Sequence, residues 1–417
     1  MKSRKITCAV ALMLLATVPT ALASTTWYVN GLNGSDSDNC SSVLTPCKTI
    51  KHVILRAASG DTIMVAAATY QENLTIGKSL KVIGSGASRT IIDGGNEGSV
   101  VTIPNSRTTV TFSKLTIRNG ASHIGAGINN SGTLTVSNST VTANTATTDC
   151  GIENHCLGGG IYNGGSLTIN NSTISGNLAG NGASPNYGEG GGIYSIFAVL
   201  TIKSSTVSSN TADGGGGIQT ILGAMTINSS TINANKSGAA GGGAGVDNEA
   251  TATINNSTIT GNHGGGVGSG INNGGTLIVN SSTVTNNTAS RGGGGIRNWN
   301  GTTTIQNSIV SKNSVGGNCN GPIASNGYNL SSDSTCVFHN TGDLDGTDPL
   351  LGPLQKNGGP TFTQALPPGS PAIDAGNPSG CTDGQGHLLK TDQRGMPRPD
   401  KEDSGGCDMG AYERQSD

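Results

Sequence analysis

Between residues 121 and 315 the acidic side chains are few: Asp149, Glu153, Glu189, Asp213, Asp247 and Glu249. Hydrolysis of a glycosidic bond takes two carboxyl groups roughly 5–10 Å apart, flanking the bond. No two of these six form a recognisable paired-acid motif. Glu153 and Glu189 would converge, together with His155, if the segments carrying them lie side by side. Tyr162, Tyr187 and Tyr194 are close by in the chain, and sugar-binding surfaces combine aromatic faces with a few polar groups. The candidate ligand-binding set is therefore Glu153, His155, Tyr162, Tyr187, Glu189 and Tyr194. Further on, Asp343-x-Asp345-Gly346-x-Asp348 offers the oxygen ligands that calcium takes, although the full twelve-residue loop is absent. A solvated acidic turn is the competing reading there, and no other cofactor is suggested.

These residues sit in a repeat. The phrase Gly-Ile-x-Asn starts at Gly127 and recurs, with drift, to Gly295; its apolar residues are Ile128, Ile161, Ile193, Ile218, Val246, Ile271 and Ile296. A second apolar column follows at Val136, Ile169, Ile202, Ile227, Ile254, Val279 and Ile305. Five residues on comes a third: Val141, Ile174, Val207, Ile232, Ile259, Val284 and Val310. Three more bring an asparagine each time: Asn144, Asn177, Asn210, Asn235, Asn262, Asn287 and Asn313. Spacings of five and of eight or nine do not repeat at 3.6, and glycine triplets oppose helix. Each copy is instead expected to be a coil of three short strands, apolar residues inward and Thr or Ser outward. One coil cannot bury its apolar face alone, whereas stacked coils share a core. An asparagine recurring at one turn would stack into an amide ladder, each amide both donating and accepting. The expected fold is all-β: a single-stranded, right-handed parallel β-helix.

Length varies at one corner only, between the asparagine and the next Gly-Ile. The gap is 17 and then 16 residues in the first two copies, and 8 to 11 thereafter. The two long inserts should lie side by side there, and insertions on one face of a solenoid are often binding elements. Next to the Gly-Ile column stand Asn129, Tyr162, Tyr194, Gln219, Asp247, Asn272 and Arg297, so that Tyr162 above Tyr194 would form an aromatic platform. A second outward array, Thr140/Thr142 through Thr283/Thr285, has the Thr-x-Thr form of ice-binding solenoids; Thr is equally a good solvent-facing strand residue. Asn-x-Ser/Thr sequons such as Asn138-Ser139-Thr140 arise from the repeat itself.

The chain begins as an export signal does, with Lys2, Arg4 and Lys5, an apolar run from Ala9 to Leu22, and Ala21-Leu22-Ala23 for cleavage. A mature chain starting near Ser24 is expected. Of nine cysteines Cys8 lies in the signal, leaving an even number, which in an exported chain means disulfides. Local spacing pairs Cys40 with Cys47, Cys150 with Cys156, Cys319 with Cys336 and Cys381 with Cys407. The net charge of −2 gives no electrostatic case for nucleic acid or an anionic membrane surface. No stretch beyond the signal is long and apolar enough for a spanning helix, and a monomer is expected.

The glycine-rich motif, Gly-Gly-Gly-Ile followed by Val/Ile-x-x-Asn over roughly residues 125–315, resembles the short repeats of the chlamydial polymorphic outer membrane proteins. Trp27-Tyr28-Val29-Asn30, Thr45-Pro46-Cys47-Lys48-Thr49-Ile50, Gly60-Asp61-Thr62-Ile63 and Thr69-Tyr70-Gln71-Glu72 resemble the first coils of secreted right-handed β-helix proteins. Ile50 to Ala58 is expected to be an amphipathic helix capping the first coil. The last fragment is also similar to one in pectin methylesterases, where it is structural. At the C-terminus, Asp348-Pro349-Leu350-Leu351, Gly358-Gly359-Pro360, Ser370-Pro371-Ala372-Ile373-Asp374-Ala375-Gly376, Asp392-Gln393-Arg394-Gly395 and Asp408-Met409-Gly410-Ala411-Tyr412-Glu413 resemble the choice-of-anchor Q domain. That resemblance implies a bacterial surface or secreted protein with an irregular end module, in which Asp374, Arg394 and Asp408 would pair as structural ions.

The expected organisation is a signal over 1–23, a β-helix over 24–340 and an irregular cap over 341–417. The functional expectation is an extracellular or surface-exposed scaffold for adhesion or polysaccharide binding. The alternatives are a polysaccharide lyase or glycoside hydrolase working beside the inserts and, less favoured, an ice-binding solenoid.

Overall fold

The structure, a computed structural model, describes residues 24–147, 150, 155–180, 187–239, 241–401 and 406–416. One coil shows how the chain winds: strands at Ile161–Asn163, Ser166–Asn170, Thr173–Ser175 and Leu178–Ala179. The next repeats them at Ile193–Ile196, Val199–Lys203, Thr206–Ser208 and Thr211–Ala212. Stacking these stations in register makes parallel sheets of 20, 11 and 6 strands. The fold is a right-handed parallel β-helix. Val136 stands over Ile169, Ile169 over Ile202, and so on to Ile305. All of that column is fully buried, and each such side chain contributes about 1.5–3 kcal/mol.

The asparagines from Asn144 to Asn313 are buried and joined. Each Nδ2 donates to the next Oδ1 at 2.9–3.1 Å. Each backbone N–H donates to the same oxygen at 2.9–3.2 Å. The ladder explains the glycine before each isoleucine. A Cβ on Gly192 or Gly217 would lie 2.5–2.6 Å from the next coil's carbonyl and 2.9 Å from a ladder amide.

The sequence reading missed two further ladders. Asn130 donates to Asn163, and Asn248 to Asn273, at 2.8 Å, on the inner side of the first sheet. From Ser139 to Ser282 each serine N–H donates to the next serine Oγ at 3.1 Å. Ser139, Ser172 and Ser257 occupy the middle of Asn-x-Ser/Thr sequons. The residue before each ladder serine, Asn138, Asn171, Ser204, Ser229, Asn256, Ser281 or Asn307, turns the corner at φ of 44–49°. Asn tolerates that left-handed conformation better than most residues do. The repeating sequon is thus the signature of a corner.

At the N-terminal end the helix spans Ile50–Arg56, with Thr49 as N-cap and Ile50, Val53 and Ile54 buried over the first coil. It stops before Ala58 because Ala57 is already extended. The Glu72 carboxylate accepts from the N–H groups of Ile50 and Lys51, at 2.9 and 2.7 Å. The Thr69–Glu72 fragment is therefore structural here. The paired cysteines form four disulfides, with Cα–Cα distances of 4.9, 4.8, 4.8 and 5.9 Å in chain order. Among the described residues no helix is long and apolar enough to cross a membrane.

The irregular C-terminal segment starts over the last coil, where Leu344 bridges Leu330, but it extends further than an end cap. It returns along the flank of the second sheet. Gln393 bonds to Thr258 and Thr231, the Thr391 carbonyl accepts from Asn256, and Ala411 donates to Thr283. Thr231, Thr258, Thr283 and Thr285 are buried beneath it. The Thr array is therefore not an open ice-binding face over these coils. The expected ion set is also different. Arg394 pairs with Asp392 at 2.7 Å and stacks on Tyr412, while Asp408 accepts the backbone N–H of Asp374. A short tether explains the choice, since Asp392 is two residues from Arg394.

A second pair, Arg398 with Glu413 at 2.6 Å, is wholly buried. Arg398 also donates to Asn256 Oδ1 at 2.7 Å and to the Gly410 carbonyl, fastening the returning segment to the coils. Arg398→Met should destabilise by roughly 3–5 kcal/mol, because Glu413 is left buried and uncompensated. Adding Glu413→Leu should recover most of that loss. Urea unfolding of both variants tests this, and a double variant no better than the single would refute it.

Candidate active site

The corner that carries the inserts builds the site. His155–Leu157 and Tyr187–Glu189 pair as parallel strands, His155 beside Tyr187 and Leu157 beside Glu189. Behind them the Cys150–Cys156 disulfide packs with Ala126, Ala146, Ala179 and Ala212 in a small core of its own. The inserts thus lie side by side and are held from behind. Glu153 falls outside the described residues. His155 is exposed, and its ring meets that of Tyr187 edge-on at 6.0 Å.

Beside this corner the outward column of the first sheet runs in register: Tyr162, Tyr194, Gln219, Asp247, Asn272 and Arg297. Five strand steps of about 4.8 Å make it about 24 Å long. The two tyrosine rings stack at 5.8 Å with planes 17° apart. They are not an open platform, however, because Tyr194 is only 4% exposed while Tyr162 keeps a half-buried face. Tyr194 is buried between neighbouring coils, in the electrostatic neighbourhood of the Glu189 carboxylate.

Glu189 belongs to the coil of Tyr194, and the coil of Gln219 stands between it and Asp247. Asp247 is 5% exposed; its Oδ1 accepts from Asn272 at 2.9 Å, and Asn272 in turn accepts from Arg297 at 3.2 Å. Gly242 lets the backbone approach this carboxyl, since a Cβ there would lie 2.6 Å from Asp247 Oδ2. Two residues on, Glu249 is exposed, and the intervening Asn248 points inward and is fully buried. Asp247 and Glu249 consequently share the outward face, with about 6.6 Å between their Cα positions. Asp213 is drawn to the same corner by the Gly188 N–H, at 2.8 Å.

Crowding of acids sets the electrostatics. Burial, reinforced by the charges of Glu249 and Glu189, pushes the Asp247 carboxyl up to about 7 against the opposing Asn272 hydrogen bond. Burial also raises Glu189, partly countered by His155. The Tyr187 phenol is pushed up to about 12, first by burial and then by Glu189, Asp247 and Asp213; Tyr194 is pushed higher still. A carboxyl that holds its proton near neutrality is what general acid catalysis uses.

The structure brings Tyr162, Tyr187, Glu189, Tyr194 and His155 into one neighbourhood. Sequence reasoning did not single out Asp247 and Glu249 as candidate site residues. Asp247 was visible as a member of the outward column, but the burial that raises its pKa was not. In the acidic turn, Asp343 accepts from Asn329 N, Ser325 Oγ and Asn340 N, and Asp348 pairs with Lys312 at 3.2 Å.

In overall structure the chain is similar to the pectate lyase Pel9A, with a TM-score of 0.56 and 16% identity over 95% of this chain and 98% of that one. What the two share is the fold. It is also similar to XylC in complex with xylose, with a TM-score of 0.52 and 10% identity over 93% and 98% of the respective chains. No protein-family model matches the chain, and no curated protein matches it in sequence. The repeat and end-module resemblances accordingly stand on the quoted residues alone.

Proposed function

We propose that this protein is an exported glycoside hydrolase that cleaves a neutral extracellular polysaccharide on the face between Tyr162 and Arg297. The observation that carries this reading is the juxtaposition of Asp247 and Glu249 on one outward strand face, in electrostatic contact with Glu189 and beside the tyrosine stack. Asp247, protonated near neutrality, protonates the leaving oxygen; Glu249, exposed on the same strand face, activates water as the base. We assign the pair an inverting mechanism, in which a water stands between two carboxyl groups roughly 6.5–9.5 Å apart. Tyr162 offers its open face to a sugar ring. Three acids disfavour a polyanionic substrate at this face. Disulfides point to an oxidising compartment. The repeat and choice-of-anchor Q resemblances point the same way, and the structural neighbours carry carbohydrate names.

The test is reducing-end release from a panel of neutral polysaccharides, with the anomer of the product read by NMR. An inverted product is expected, and Tyr162→Ala should raise KM several-fold with little change in kcat. A retained anomer would overturn the assignment of Glu249 as base. Burial of Asp247 and Tyr194 favours a second reading, a binding scaffold without turnover. Glycan-array binding with no reducing ends from any bound glycan would establish that reading in place of the first.

A further inference from the structure

A second cleft lies away from the acid face, between the first sheet and a C-terminal hairpin. Its volume is about 590 Å³, within the usual range for ligand pockets. The hairpin is fixed at its base: Leu389 N bonds to the Cys381 carbonyl, Cys381 is disulfide-bonded to Cys407, and the Thr391 carbonyl accepts from Asn256. A pre-fixed wall lowers the ordering cost of binding.

The lining combines polar side chains with the apolar Leu388 and Leu389 and contains no aromatic ring. From the sheet come Lys203, Thr226, Asn228, Thr253 and Asn255, and from the hairpin Lys390 and Asp383. The asparagines form a directed chain. Asn280 Nδ2 donates to Asn255 Oδ1, and Asn255 Nδ2 donates to Asn228 Oδ1, each at 2.9 Å. The chain therefore ends in the Nδ2 donor of Asn228, polarised by the bonds behind it. Lys203 is the strand neighbour of Asn228 in the adjoining coil. The one acid, Asp383, turns to its own hairpin, accepting from Gln385 N, His387 N and the His387 ring. Lys203, Lys390 and Asn228 thus line one cleft whose carboxylate is engaged within the hairpin.

We propose that this cleft is a binding site for an acidic sugar residue, with the uronate carboxylate held by Lys203, Lys390 and Asn228 Nδ2, and the ring hydroxyls by Thr226, Thr253 and Asn255. It is independent of the hydrolase reading and distinct from that face in charge, which is acidic there and basic here. A protein cleaving neutral linkages could hold an acid-bearing region of its polymer in this cleft.

The experiment is calorimetric titration of the whole protein with a short oligogalacturonate, a neutral xylo-oligosaccharide of equal length, and inorganic sulfate. The oligogalacturonate should saturate one site and bind at least tenfold more tightly than either control. The Lys203→Gln/Lys390→Gln double variant should lose at least tenfold in affinity, with its melting curve and its cleavage of neutral glycans unchanged. Asp247→Asn should leave the uronate affinity intact. Sulfate binding as tightly as the oligosaccharide would make this a simple anion site and overturn the proposal. Absence of saturable binding, or undiminished affinity in the double variant, would overturn it equally.

Discussion

Asp247→Asn is expected to reduce glycan cleavage by a factor of about 10²–10⁴, the usual contribution of a general acid, and at the same time to stabilise the fold above neutral pH. The second half follows from the sign of the pKa shift. Asp247 rises from 3.8 to about 7 in the folded protein. Below pH 4 both folded and unfolded chains hold the proton, and nothing is lost. As pH rises from about 4 to 7, the unfolded chain releases a proton that the folded one retains, so stability falls. Above about 7 the buried carboxylate costs on the order of 4 kcal/mol. Asparagine has the same shape and an oxygen that can still accept from Asn272, and it carries no charge. The variant should therefore melt several degrees above the parent at pH 8 and together with it at pH 4. Glu413, also raised to about 7, mainly by burial, shifts stability in the same direction in both proteins and cancels in the comparison. Glu249→Gln is the control: it should lose activity while gaining much less stability at pH 8 than Asp247→Asn, because it removes only the Glu249 charge and leaves the burial of Asp247, the largest cause of the shift, in place. A fully active Asp247→Asn protein, or one less stable than the parent at pH 8, would refute the assignment.

The parts of this molecule that obey the repeat were legible in the sequence; the parts that break it were not. The column from Val136 to Ile305 and the ladder from Asn144 to Asn313 recur at fixed spacings because each coil must present the same side chain to the next. The serine ladder recurs just as strictly, yet the sequons that carry part of it were read only as a by-product of the repeat. The returning C-terminal segment was not legible, because Gln393 meets Thr258 across 135 residues without any periodic signal. The site lies between these cases. Register alone places Asp247 in line with Tyr194 and Gln219, whereas the contact with Glu189 depends on an insert strand, Tyr187–Glu189, whose pairing no repeat dictates. Burial, which separates Asp247 from Glu249 chemically, is a property of the folded corner only.

Asn235→Ala should be among the most damaging single changes to the coils, costing roughly 3–5 kcal/mol from a few unmade bonds of about 1–3 kcal/mol each. Asn235 Oδ1 accepts from both the backbone N–H and the Nδ2 of Asn210, at 3.0 Å each. Its own Nδ2 donates to the Val207 carbonyl and to Asn262 Oδ1, also at 3.0 Å. The residue is 0% exposed, so the alanine variant strands these partners without water. The rung also stands midway along the ladder. A solenoid is held by nearest-neighbour terms, and breaking one uncouples the coils on either side. Besides the lower midpoint, urea unfolding should become broader or biphasic, with amide exchange accelerated first around residues 207–262. Lys236→Ala, the neighbouring exposed position, should stay within about 0.5 kcal/mol of the parent. Asn235→Asp tests the donor separately: it keeps the acceptor for Asn210 but sets a carboxylate against Asn262 Oδ1 and the Val207 carbonyl. It should be more destabilising at pH 8 than at pH 4, where a protonated acid can donate to one of them. An alanine variant that unfolds in one sharp step at the parental midpoint would show that the ladder decorates the corner and does not hold it.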